Sequence, residues 1–352
     1  MAAPFPGRSH TFAEHTRETV LTTNLTRSYV ECKRLQKEDV MSSNDKPAVG
    51  WIGAGRMGAA MVTRLAAAGV APMVWNRTRA KAEALVEHGC TVADQIAQLR
   101  ARDVVFTMVS TDEDLRQVLF GEGGLLADPA TAPAIVVDCS TVSMATSAKI
   151  REICAGRGVG FLAAPVSGNA KVVRAGGLSF AVSGPRETYE RVVPLLRHIG
   201  GSVAYVGDDD VARLVKICHN LFLGVVTQSL AEITVLAEKG GVPRAAFLDF
   251  LNNSVLGSTF TRYKTPAFVH LDYTPTFTPL LLRKDFDLGL TAARHHDVPM
   301  PLAALTATLI QSTIGTGRVD EDFAILLDLQ ARAAGVELKP EHTPVDDGLE
   351  AR

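Results

Sequence analysis

Lys216 and Asn220 stand four residues apart in an apolar stretch, so on a helix their side chains project from one face. A lysine in such surroundings can give a proton to a developing alkoxide, or take one from an alcohol in reverse. Taken alone, Lys216 also reads as a lysine whose stem lies along the helix while its head reaches water. Upstream, Ala164-Pro165-Val166-Ser167-Gly168-Asn169 follows an apolar run, and Ser167 with its neighbouring N–H groups suits a small carboxylate. The competing reading there is an ordinary Ser-Gly-Asn turn. Asp138-Cys139-Ser140-Thr141 follows another apolar run, where it either faces a ligand or caps a helix. Lys284-Asp285 opens a further helical stretch and, as an exposed ion pair, would be worth little.

A phosphate-binding pattern lies nearer the start. The run Pro47-Ala48-Val49-Gly50-Trp51-Ile52 enters Gly53-Ala54-Gly55-Arg56-Met57-Gly58, and Met61 to Ala68 then reads as a helix. In such a turn the first glycine allows the tight bend, the second lets backbone approach a pyrophosphate, and the third lets helix pack on strand. The free N–H groups at the helix start then attract phosphate. Strand before and helix after are the context that gives a glycine pattern its value. The next strand, Ala71 to Trp75, ends in Asn76-Arg77-Thr78 rather than in the acidic residue that accepts hydrogen bonds from an NAD ribose. A carboxylate there would repel a 2′-phosphate, whereas a guanidinium pairs with one, so NADP(H) is expected over NAD(H). The alternative is a solvated Asn-Arg turn with Thr78 capping the next helix.

The elements that must position these residues follow two patterns. From Pro47 to about Gly207, strands are expected at 48–53, 71–75, 103–108, 134–138, 159–164, 178–183 and 203–206, alternating with helical patterns. That alternation predicts an α/β, Rossmann-type, mostly parallel sheet with helices on both faces over 47–207. After Gly207, Asp208-Asp209-Asp210 supplies an N-cap and acidic first turn for a helix from Val211 to Lys239, which holds no proline and one glycine. At about 1.5 Å per residue this helix is too long for one globular layer, and it is expected to join the sheet to an all-helical domain over 208–338. Further helices are expected at 243–251, 281–295, 301–316 and 323–334, with 252–280 an irregular connection and 339–352 a frayed tail.

Composition narrows the classes. At 352 residues, 47% hydrophobic and 21% charged, the chain has material for two cores, and its net charge of −2 argues against general nucleic-acid binding. Apolar stretches are broken by charges before about 18 residues, so no membrane-spanning helix is expected. Cys32, Cys90, Cys139, Cys154 and Cys218 are scattered and never form Cys-x-x-Cys, which suits a reducing, cytoplasmic setting and offers no zinc site. His295-His296 has no third ligand nearby, so no metal is expected. Residues 1–46 carry seven basic and six acidic residues with no sustained period and no apolar signal core. They read as a disordered extension, with Met41 an alternative start.

Taken in order, the glycine turn, Asp138-Cys139-Ser140-Thr141, Ala164-Pro165-Val166-Ser167-Gly168, Lys216-Ile217-Cys218-His219-Asn220 and Lys284-Asp285 resemble the β-hydroxyacid dehydrogenases. That group includes 3-hydroxyisobutyrate dehydrogenase and the tartronate, glyoxylate and succinic semialdehyde reductases. The resemblance spans about 47 to 338 and is specific because five motifs keep one order. It implies a homodimer or homotetramer and a small carboxylate-bearing substrate. It also implies Lys216 as the catalytic lysine, Asn220 on the substrate, and Ser167 and Gly168 on the substrate carboxylate. Val109, Ser110, Thr141 and Lys284 match cofactor-touching positions, and arginine at the end of the second strand matches NADP-using members.

Three residues depart from the pattern. Asn169 replaces a second glycine and is expected to narrow the carboxylate pocket or add a hydrogen bond to it. His219 replaces the first of two asparagines, with a bond to backbone its expected role, and Met144 stands where proline is common. Rival readings are an imine reductase on the same two-domain plan, which generally lacks the lysine, and a catalytically inert scaffold relative. A 6-phosphogluconate-type enzyme would need a far larger helical domain.

Overall fold

Val49–Ile52 (β1), Val104–Thr107 (β4) and Ile135–Asp138 (β5) are buried along their whole length, so they must lie at the centre of a sheet covered on both faces. The computed structural model describes residues 47–349, and these strands are the middle of its sheet. The disordered extension expected over 1–46 lies outside the described residues. The other strands are Met73–Trp75 (β2), Thr91–Val92 (β3), Gly160–Ala163 (β6), Val166–Ser167 (β7), Ser179–Ser183 (β8) and Ser202–Gly207 (β9). Their order is β3-β2-β1-β4-β5-β6-β8-β7, with β9 also on β8. Pairing is parallel from β3 through β6, while β8 runs antiparallel to β6 and β7. Strands β3 and β7 are two residues each, too short to show a period in the sequence.

Side-chain alternation splits the core into two layers. Trp51 and Phe106 stack at 5.1 Å on one face, beneath helices Arg56–Ala67 (α1) and Arg186–Ile199. Ile52, Val105 and Val136 fill the other, beneath Asp112–Phe120 and Met144–Gly156. From β1 the chain steps outward through β2 to β3, then crosses back to the other side of β1 as β4. This reversal opens a crevice at the carboxyl ends of β1 and β4.

The long helix runs from Val211 to Lys239 as its composition predicts, but its start is built differently. No aspartate side chain caps it. Asp208 takes the Tyr205 hydroxyl and Asp209 pairs with Arg151. Asp210 accepts from Ser147 Oγ at 2.8 Å and pairs with Arg151, so the acidic triplet ties the helix to the sheet part. Three residues on, Arg213 is fully buried and grips Asp138 and the Ser140 carbonyl. Length and composition would let this helix cross a bilayer, which the reading of charge interruptions passed over. Here half of its most apolar stretch is buried, against helices Pro279–His295, Pro301–Gly315 and Leu326–Ala333.

Two expectations fail in the helical part. Residues 252–280 are not irregular: Thr259–His270 is a helix that opens on a capping box, Ser258 Oγ accepting from the Thr261 N–H and Thr261 Oγ1 from the Ser258 N–H. Pro266 within it disguised the pattern. Nor are the described residues beyond Leu338 simply frayed. The Glu341 carboxylate accepts from the Arg244 and Ala245 N–H groups at 2.7 and 3.0 Å, capping Arg244–Asn253, and Leu338 and Val345 pack on the core.

Candidate active site

The glycine turn has the shape its spacing predicts. Gly53 sits at φ +101°, and a Cβ there would meet the Met108 carbonyl oxygen at 2.2 Å. A Cβ on Gly58 would meet the Gly53 oxygen at 2.0 Å, so only glycine lets α1 approach β1. Gly55 faces open space, stands at the N-cap of α1 without a side-chain cap, and is followed by no acidic residue in the first turn. The N–H groups there are available to a diphosphate, and the residues present fit a dinucleotide. Ala54 donates to Asn76 Oδ1 at 2.8 Å, so Asn76 braces the turn rather than facing outward. Arg77 is exposed and paired with Asp114 at 3.0 Å. Thr78 stands at the N-cap of Arg79–Glu83 but its side chain makes no cap bond.

A cavity of about 760 Å³ runs from this turn, past the carboxyl ends of the strands, to the long helix. It brings together Gly55, Arg56, Met57, Gly58, Val109, Ser110, Thr141, Ser167, Gly168, Asn169, Lys216, Asn220 and Lys284. Gly53 and Ala54 form the turn behind it, and Asn76, Arg77 and Thr78 lie off its lining at the end of β2. Of the Asp138–Thr141 motif only Thr141 reaches the cavity; Asp138 is buried under Thr107, Ser140 and Arg213.

Lys216 donates to Asn220 Oδ1 at 3.0 Å. Its exposed surface faces the cavity, and desolvation brings its pKa down to about 8, against the opposing pull of Asp285, with the Lys284 charge adding to the fall. Asp285, buried and raised by desolvation, accepts from Asn220 Nδ2 at 2.5 Å. Lys284 and Asp285 do form the ion pair considered in the sequence, at 3.8 Å, but on its Asp285 side the pair is buried rather than exposed, and Lys284 also donates to the Thr141 carbonyl at 3.1 Å. The clue was that Asn220 and Asp285 lie on two apolar helices, where a buried amide needs a partner.

Two departures from the pattern resolve differently from expectation. The side chain of His219 bonds no backbone: Nε2 lies 2.8 Å from Ser167 Oγ and Nδ1 lies 2.9 Å from Asn220 Oδ1. Desolvation lowers its pKa, the Asn220 bond opposing this and the Lys216 charge assisting. Asn169 spends its amide oxygen as a helix cap, accepting from Lys171 N at 2.9 Å and Val172 N at 3.1 Å, so it restrains the pocket wall more than it fills the pocket. Sequence reasoning missed the far wall. Phe260 and Tyr263 from Thr259–His270 and the loop at Thr274–Phe277 line the cavity, and Lys264 beneath them is buried against Asp322 and donates to Thr276 Oγ1 at 3.2 Å. Arg56 closes the cleft by donating to the Pro275 carbonyl at 2.8 Å.

Residues 48–207 match the family described as the NAD binding domain of 6-phosphogluconate dehydrogenase. Residues 211–330 match that described as NAD-binding of NADP-dependent 3-hydroxyisobutyrate dehydrogenase. The chain is 32% identical over 269 residues to a 3-hydroxyisobutyrate dehydrogenase of Pseudomonas aeruginosa, covering 74% of this chain and 90% of that one. It is 30% identical over 281 residues to glyoxylate/succinic semialdehyde reductase 1 of Arabidopsis thaliana, covering 80% and 97%. Among solved structures, the Mycobacterium tuberculosis 3-hydroxyisobutyrate dehydrogenase with L-serine superimposes with a TM-score of 0.70 at 26% identity, covering 80% of this chain and 98% of that one.

Proposed function

Because the chain belongs to the β-hydroxyacid dehydrogenase family, we propose that it interconverts a small β-hydroxyacid and its semialdehyde or keto partner with NADP(H). The dinucleotide, when bound, supplies or removes the hydride. The sheet part, 47–207, is assigned to the dinucleotide, and the helical part, 208–338, to substrate and assembly.

The observation that carries this reading is Lys216. It lies in the cavity that also reaches the glycine turn, with its pKa near 8, where an amine exchanges protons readily in both directions. In reduction Lys216 gives its proton to the carbonyl oxygen; in oxidation its free amine takes the hydroxyl proton. Asn220 aims it, since Asn220 Oδ1 accepts from Nζ while Asp285 holds the amide. The second amide hydrogen of Asn220 is left for substrate. Ser167 and the N–H groups of Gly168 and Asn169 receive the substrate carboxylate, and Lys284 and Thr141 keep the two walls together around the cofactor end. Arg56 and the Thr274–Phe277 loop exclude water, which strengthens each of these contacts.

Preference for NADP(H) rests on Arg77, exposed at the end of β2 with no acidic residue beside it in the chain. A 2′-phosphate would take over the guanidinium from Asp114. Assembly into a homo-oligomer is favoured by Phe222 and Leu236, large apolar side chains left 69% and 73% exposed on the long helix. Light scattering coupled to gel filtration tests that assembly, and a monomer would refute it.

The decisive test is nicotinamide oxidation over glyoxylate, succinic semialdehyde, tartronate semialdehyde, methylmalonate semialdehyde and a cyclic imine, with NADPH and NADH in parallel. Turnover of a carbonyl acid with NADPH preferred is expected. Turnover of the imine alone would remove the role given to Lys216, and silence on every carbonyl acid would overturn the proposal.

A further inference from the structure

The hydroxyl of Ser167 has one hydrogen, and the groups around it decide where that hydrogen points. Asn220 is oriented at both ends: Asp285 requires a donor and takes Nδ2, while the Lys216 amine requires an acceptor and takes Oδ1. His219 Nδ1 lies 2.9 Å from that same oxygen, so Nδ1 must carry a hydrogen. In a neutral imidazole Nε2 is then an acceptor, and at 2.8 Å it takes the Ser167 hydroxyl hydrogen. In that state Ser167 turns lone pairs toward the cavity, which suits a carboxylate poorly. Once Nε2 is protonated it donates to Ser167 Oγ, and the hydroxyl hydrogen is released to the cavity.

Resting on the reading of Ser167 as part of the carboxylate site, we propose that His219 is a positioning residue that sets Ser167 as donor or acceptor, so that the substrate carboxylate binds together with one proton on His219. The groups facing this ring support the coupling. Lys216 on its own helix opposes a second positive charge, and burial does the same. Lys284 and Asp285 from Pro279–His295 and Tyr263 from Thr259–His270 line the same cavity. So do Arg56 from α1 and Lys171 and Arg174 from the helix Ala170–Arg174. Apart from Asp285, which is engaged with Asn220, the ionic side chains here are cationic, so a bound carboxylate supplies the anion the imidazolium lacks. By reciprocity, a carboxylate that raises the proton affinity of His219 is itself bound more tightly when His219 is protonated.

The experiment is titration of the NADPH-loaded enzyme with propionate, an unreactive carboxylate, by calorimetry in two buffers of different protonation enthalpy near neutral pH. There Lys216 is already largely protonated, so proton uptake reports His219. Wild type is expected to take up about one proton per propionate and to lose affinity about tenfold per pH unit above the titration of free His219. His219→Gln, whose amide does not titrate, is expected to bind propionate with no uptake and a flat profile below about pH 8, where Lys216 begins to titrate. Binding without uptake in wild type, or a slope that survives in His219→Gln, would overturn the inference and leave the carboxylate site standing. Absence of propionate binding at every pH would overturn the carboxylate site and the inference together.

Discussion

Lys216 titrates near 8, between the pKa of a surface lysine and neutrality, and this fixes the direction of the pH profiles. Reduction needs the ammonium, so its kcat is expected to hold below about pH 8 and fall above it, while oxidation rises through the same range. Opposite or flat profiles would refute the acid–base assignment. Lys216→Ala is expected to lower kcat at least ~10²-fold with NADPH affinity little changed, as fluorescence titration would report. At the other end of the cleft, Arg77→Ala should weaken NADPH far more than NADH. Asp114→Asn should tighten NADPH alone, because it removes the carboxylate that holds the guanidinium; equal effects on both dinucleotides would sink the 2′-phosphate role. That Lys216 and Asn220 share one helix face was legible because they stand four residues apart; that Ser167 lies in the same cavity followed only from the order of the motifs, since it is far from them in the chain. The Asn220–Asp285 bond was not legible, since it joins residues 65 apart on two helices whose packing no local pattern states.

At the scale of elements, the glycine turn and the long helix were read closely because each is specified locally, one by backbone room and the other by unbroken composition. Gly58→Ala is expected to destabilise the fold by roughly 1–3 kcal/mol and to weaken NADPH binding. Its Cβ would press on the Gly53 carbonyl, which cannot yield without moving the turn. A melting temperature and an NADPH affinity both unchanged would show that α1 is not tightly seated. The helix Thr259–His270 was lost to the sequence reading because Pro266 reads as a breaker and Ser-x-x-Thr is an unfamiliar capping box. The tail was lost because its order comes from Glu341 capping a helix nearly 100 residues earlier in the chain. Glu341→Ala is expected to cost about 1 kcal/mol of stability, read as a lower melting temperature with unaltered activity at low temperature.

Across the whole molecule, the described residues form one compact unit in which sheet and helices meet through buried charge. Asp138→Ala would leave Arg213 buried without a carboxylate, and a loss of about 3–5 kcal/mol is expected in denaturant unfolding, far more than any exposed ion pair would give. An unchanged unfolding midpoint would mean that the junction carries no load. The same helix turn that bears Arg213 bears Lys216 three residues on, and no loop intervenes between them. The amine proposed to react is therefore mounted on the sheet through the same clamp that holds the fold together, within one continuous helix. Heat should then extinguish turnover and structure in one step. An enzyme of this build would lack the early, reversible loss of activity that proteins show when their active site rides on a separately melting lid, and its working temperature range would end where its fold does.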